Sequence, residues 1–134
     1  SDAGSEITAA LNRQHNSIVF AEGTTSDGHV KKFHSRLMQS AIDAQAMVQP
    51  VAIYYPKLNA ETNKIEINPD SLFVDGISAK ESFNRIVRAP GINVEVHFLE
   101  PIDCTGKKRD EITLHAYHEV VDAIKLIKKQ PLQA

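Results

Sequence analysis

Two short apolar runs constrain the fold more than any other feature of the chain. Ile18–Phe20 carries no polar alternation, the pattern of a strand covered on both faces, and Val51–Tyr55 is the second predicted strand. Helical spacing surrounds them. Ala3–Gln14 places Ile7, Ala10 and Leu11 on one face, and Ser35–Val48 continues as helix until Pro50 forbids it. Ser78–Arg88 sets Ser78 and Glu81 in capping-box register and turns Phe83, Ile86 and Val87 inward. Asp110–Lys129 is the longest predicted helix. Ile112, Tyr117, Val120, Val121, Ile124 and Ile127 form its stripe, and Lys125, Lys128 and Lys129 sit at the carboxyl end that the dipole favours. Pro56–Pro69 reads as an edge hairpin arm or an irregular loop. Ile92–Leu99 alternates Ile92, Val94, Val96 and Phe98 with Asn93, Glu95 and His97, which predicts a strand with one wetter side. This order predicts an α/β fold with a mostly parallel or mixed sheet flanked by helices. Three or four strands are few, so the sheet is expected to be part of a larger one.

The 134 residues suit one domain, and an apolar fraction of 42% supports a modest core. Fifteen basic against 17 acidic residues leave a net charge of -2. With no long basic tract, that balance argues against a nucleic-acid partner. The single cysteine, Cys104, excludes an intrachain disulfide. No apolar run approaches the ~20 residues that span a bilayer.

The first apolar run ends abruptly in "EGTTSDG", Glu22 to Gly28. A glycine at the carboxyl end of a strand stands where open α/β sheets bind ligands. Thr24, Thr25 and Ser26 offer hydroxyls and successive amide donors able to cradle an oxyanion. Glu22 has three available roles: orienting a neighbour, holding the loop through backbone amides, or meeting substrate hydroxyls. The alternative is a plain surface turn, for which Ser-Asp-Gly is a common signal. The dinucleotide and Walker glycine spacings are both absent.

The stretch "VFAEGTTSDGHVKKFHSRL", Val19 to Leu37, resembles the third conserved block of the glycerolipid acyltransferases, the superfamily that includes the 1-acylglycerol-3-phosphate acyltransferases. The usual block is Phe-Pro-Glu-Gly-Thr-Arg-Ser, then a glycine and a phenylalanine. Phe20, Glu22, Gly23, Thr24, Ser26, Gly28 and Phe33 match it. Val48–Tyr55 resembles the next block and Val94–Ile102 a later strand, in the right order. Two positions depart from the pattern. Ala21 replaces a proline, and Thr25 replaces an arginine that in the family helps bind the acceptor's phosphate. The Thr25 form looks more like a branch whose acceptors include lyso-ornithine lipids.

The resemblance implies transfer of an acyl group from acyl-CoA or acyl-carrier protein to a lysolipid hydroxyl, with no further cofactor. It implies lipid metabolism on the cytoplasmic side of a membrane, with peripheral membrane contact. Glu22, Gly23, Thr24, Thr25 and Ser26 are the implied substrate-binding residues. The family's general base is a histidine with an aspartate four residues on, well upstream of this block. No histidine here fits that description. His118 and Asp122 have the spacing but lie downstream, in an amphipathic helix. The expectation is therefore that residues 1–134 form the carboxyl-terminal part of an acyltransferase domain, soluble and inactive alone. The alternative is a non-catalytic lipid- or anion-binding α/β module.

Other candidates are weaker. His29, Lys31, Lys32 and His34 form a basic turn able to meet a phosphate, and a solvated turn explains them equally. His115 and His118 are two possible metal ligands without a third. Cys104 has no base at helpful spacing for a nucleophile.

Overall fold

The computed structural model describes residues 2–23, 28–72 and 76–130. Its elements are α1 (Ala3–Asn12), α2 (Met38–Asp43), β1 (Met47–Val48), β2 (Val51–Tyr54), β3 (Pro56–Asn59), β4 (Lys64–Ile67), a 3-10 turn at Pro69–Ser71, α3 (Ala79–Arg88), β5 (Glu95–Phe98), β6 (Ile102–Asp103) and α4 (Arg109–Lys129). The chain is mixed α/β, as the order of elements predicts.

The helices stop for identifiable reasons. α1 begins at Asp2, whose carboxylate accepts the Ser5 N–H at 2.8 Å. It ends in a Schellman motif. Gln14 takes φ +62, its N–H reaches the Leu11 carbonyl, and the His15 N–H reaches the Ala10 carbonyl. α2 ends the same way at Gln45, φ +53, with Ala46 N–H on the Ala41 carbonyl. That second motif cuts the predicted Ser35–Val48 helix short and frees Met47 and Val48 for a strand. Around α3 the capping box forms as read: Glu81 N–H meets Ser78 Oγ at 3.2 Å, and Ser78 N–H meets Glu81 Oε2 at 3.0 Å.

Every strand pair among the described residues is antiparallel: β1 with β6, β2 with β5, β3 with β4. The predicted parallel pairing is not found there. β1–β2 and β6–β5 run as one ribbon whose register slips by one residue between Val48–Ile102 and Val51–Phe98. The slip falls where Pro50 and Pro101 supply no N–H to the ladder. Leu99 N–H reaches the Pro50 carbonyl at 2.9 Å, and the Gln49 side-chain amide donates to the Leu99 carbonyl at 3.1 Å, replacing a donor proline cannot offer. The stretch 56–69, open between hairpin and loop in the sequence, is a hairpin, β3–β4, turning at Asn63 with φ +55.

The core lies between α4 and the inner face of the ribbon. Ala52 packs with Val120 and Ala123; Tyr54 and Ile65 pack with Ile127; Ala41 and Cys104 pack with Ile112. Three expectations fail at the surface. Ile18–Phe20 forms no strand, and Ile18 and Phe20 stand 88% and 82% exposed. A strand exists only through a ladder, and no described strand pairs with this run. In β5 the faces are reversed: Val96 and Phe98 are exposed while Glu95 and His97 are half-buried. Pairing His97 with Ala52 and Glu95 with Tyr54 puts the polar residues on the side facing α4, and period-two alternation sends the apolar ones out. The expected inward face of α3, Phe83, Ile86 and Val87, is also exposed. That helix packs on the 3-10 turn, and Ser82 is what it buries.

Candidate functional site

The site residues with described positions are Glu22 and Gly23; Thr24, Thr25 and Ser26 lie outside the described residues. Glu22 and Gly23 stand at the neck of a loop running to His34. Gly23 adopts φ +67 and donates its N–H to the Phe20 carbonyl at 3.0 Å. Three bonds thus shape the neck. His34 N–H closes it on the Ala21 carbonyl at 2.8 Å. Within it, the Glu22 carboxylate accepts the Lys31 backbone N–H at 2.8 Å. Of the three roles open to Glu22 in the sequence, the structure shows the one of holding the loop through a backbone amide.

The far limb of the loop is anchored in the core. Val30 and Phe33 pack against the Ala52, Val120 and Ala123 cluster. The Phe33 ring meets Tyr117 edge-on, centroids 5.5 Å apart and planes at 88°, an arrangement contributing about 0.5–1.5 kcal/mol beyond its area. Gly28 lies against β4 so closely that a Cβ there would fall 2.9 Å from Ile67 Cδ1. A tied neck, an anchored limb and a glycine contact hold the chain on either side of positions 24–27. Rigid support of this kind is what a binding loop requires.

His34 is the residue sequence reasoning undervalued. Within the basic turn of the sequence, its ring edge lies against Gly23, 3.1 Å from where a Cβ would stand. The only signal was its place one residue after the anchoring Phe33. Two other histidines stand beside acids of their own elements. His115 Nε2 lies 3.6 Å from Glu119 Oε1 one helical turn on, and His97 lies 3.0 Å from Glu95. Among the described residues no three His, Cys, Asp or Glu side chains gather to hold a metal. Cys104 is buried, and desolvation pushes its thiol pKa up, which suppresses the thiolate a nucleophile needs.

The loop is open. One cleft of about 610 Å³ is lined by Asp70, Glu81, Asn84, Arg85 and Arg88, and another of about 510 Å³ lies between α1 and α2; Glu22 and Gly23 line neither. No helix among the described residues is long and apolar enough to cross a membrane. Among the described residues the geometry therefore supplies a positioned neck with a carboxylate, Glu22, and a histidine ring, His34, beside Gly23.

Over 117 residues the chain is 34% identical to the lyso-ornithine lipid O-acyltransferase of Pseudomonas aeruginosa. The chain is similar to lyso-ornithine lipid O-acyltransferases. A second such protein, from Brucella abortus, is 31% identical over 112 residues. The matches take in 85% and 77% of this chain and 42% of each relative, so the chain spans about two fifths of the length of the curated relatives it matches. No protein-family model and no solved structure matches it. The acyltransferase resemblance seen in the Glu22–Gly23 block thus extends along most of the chain, and a chance match confined to one motif is excluded.

Proposed function

We propose that residues 1–134 are the carboxyl-terminal part of an acyltransferase domain. The whole protein transfers an acyl group from acyl-CoA or acyl-carrier protein to the hydroxyl of a lysolipid. The observation that carries this reading is the Glu22–Gly23 neck, held by Lys31 and His34, within a chain similar to lyso-ornithine lipid O-acyltransferases. The residues at 22–26 form one wall of the acceptor site. The base that removes the hydroxyl proton is supplied from outside these residues, since no histidine upstream of the block has an aspartate four positions on.

Thr25 favours lyso-ornithine lipid over lysophosphatidate. A planar guanidinium is the natural partner of a phosphate, and threonine offers a hydroxyl in its place. The outward face of the β2–β5 ribbon supports an incomplete domain. Val51, Ile53, Val96 and Phe98 cover it without a charge, the composition of half a core. The rest of the domain, including any parallel strands, would cover it.

The test is acyl transfer to lyso-ornithine lipid and to lysophosphatidate, measured for the 134-residue chain and for the longer polypeptide containing it. The chain alone should transfer nothing, and the longer protein should prefer lyso-ornithine lipid. Thr25→Arg should shift that preference toward lysophosphatidate. Robust transfer by the 134 residues alone would overturn the reading.

A further inference from the structure

The two exposed apolar faces of the molecule differ in kind. The outward face of β2–β5 is β-branched and uncharged. The outward face of α3 is not. Phe83, Ile86 and Val87 stand 63%, 39% and 64% exposed at three- and four-residue spacing, on one side of a helix whose overall composition is polar. Lys80 lies one turn before Phe83, and Arg85 and Arg88 fill the last turn. Against these three cations the helix has one acid, Glu81, which is engaged with Ser78 in the capping box.

A helix with sharply separated faces, low overall hydrophobicity, an aromatic and aliphatic strip and basic flanks is the kind that lies in the plane of a bilayer interface. The attachment of α3 agrees. It packs on the 3-10 turn at Pro69–Ser71 and buries Ser82, while the strip faces outward.

We propose that the Phe83–Ile86–Val87 face of α3 docks on an anionic lipid surface, the apolar strip entering the interface and the exposed Lys80 and Arg88 meeting acidic headgroups, while Arg85, two positions from both Phe83 and Val87, turns to the cleft it lines with Asp70 and Glu81. This deepens the proposed function by naming the element that brings the acceptor loop to the membrane, and it rests on that reading only for its purpose. Its test needs no acyl donor, so failure of docking and failure of transfer are separate outcomes.

The experiment is flotation of the 134-residue chain with vesicles of phosphatidylcholine containing phosphatidylglycerol, against vesicles of phosphatidylcholine alone. The chain should float with the anionic vesicles, less so as salt is raised. Phe83→Ser with Val87→Ser should cut partitioning by about tenfold or more, and Lys80→Glu with Arg88→Glu should abolish the preference for anionic vesicles. All four side chains are exposed, and circular dichroism with urea unfolding checks that the fold survives. Ile53→Ser, on the uncharged ribbon face, should leave flotation unchanged. The proposal is overturned if the wild-type chain does not float, if the Phe83 and Val87 substitutions have no effect, or if Ile53→Ser abolishes flotation instead. It is also overturned if sedimentation shows lipid-free self-association that Phe83→Ser removes, which would assign the face to a second copy.

Discussion

Replacing Gly28 with alanine tests how tightly the acceptor loop is seated. Gly28 has φ +100, a backbone angle that a side chain resists. A new Cβ would lie 2.9 Å from Ile67 Cδ1, 3.1 Å from Ile67 Cγ2 and 3.3 Å from Leu72 Cδ2, where carbon atoms settle at about 3.5–4.0 Å. Ile67 cannot simply withdraw, because it closes β4 and packs against the Tyr54, Ile65 and Ile127 cluster. The backbone term is about 1–2 kcal/mol and overpacking adds about 1–3 kcal/mol, so Gly28→Ala should cost about 2–5 kcal/mol. Gly23→Ala is the internal comparison. Its φ of +67 lies in the left-handed region, and its Cβ would meet only the edge of the exposed His34 ring, at 3.1 and 3.4 Å. That side chain can rotate away, leaving about 1–2 kcal/mol of backbone cost. Urea unfolding of both variants measures the difference. Adding Ile67→Val to Gly28→Ala removes the nearest methyl and should restore about 1 kcal/mol of the loss beyond its own cost, a coupling a double-mutant cycle isolates. The reasoning fails if Gly28→Ala unfolds like the wild type, if Gly23→Ala is the more costly change, or if the Ile67 cycle shows no coupling.

Three other substitutions probe the same structure. Glu22→Gln retains an oxygen for the Lys31 N–H and should cost well under about 1 kcal/mol, whereas Glu22→Ala removes the clamp and should cost about 1 kcal/mol; hydrogen exchange at the Lys31 amide distinguishes them. Hydrogen bonds from Ser78 hold the Glu81 carboxyl below its ordinary value of 4.5. Its support of α3 is therefore complete above that value and is lost as pH falls through the lower folded-state value. Helicity followed by circular dichroism should drop on acidification in the wild type, and Glu81→Gln should remove that part of the acid dependence. The Tyr54 hydroxyl is buried with no hydrogen-bond partner among the described residues, and burial pushes its pKa up. Tyr54→Phe should leave urea stability unchanged or raise it by up to about 1 kcal/mol; a clear loss would reveal a partner for that hydroxyl.

The candidate site was legible to different depths at different residues. Glu22, Gly23 and Phe33 are legible in the block, because residue type and order carry that information. The bond from Lys31 to Glu22 spans nine residues, and the packing of His34 on Gly23 depends on how the loop folds back, so neither has a local signature. The Phe33–Tyr117 contact joins segments more than eighty residues apart and was beyond any local pattern.

The amino-acid order alone determined what is local in this protein. The Ser78–Glu81 cap and the long α4 stripe follow from side chains acting on their own backbone or on neighbours a turn away. Tertiary structure decided what each face meets. Periodicity places Val96 with Phe98, and Phe83 with Val87, but it cannot say which face the α4 helix will cover. The register of β5 against β2 answered that for the ribbon, and it sent an apolar face outward. It also decided that Ile18–Phe20 stays unpaired among the described residues, since a strand's hydrogen bonds come from a partner distant in sequence.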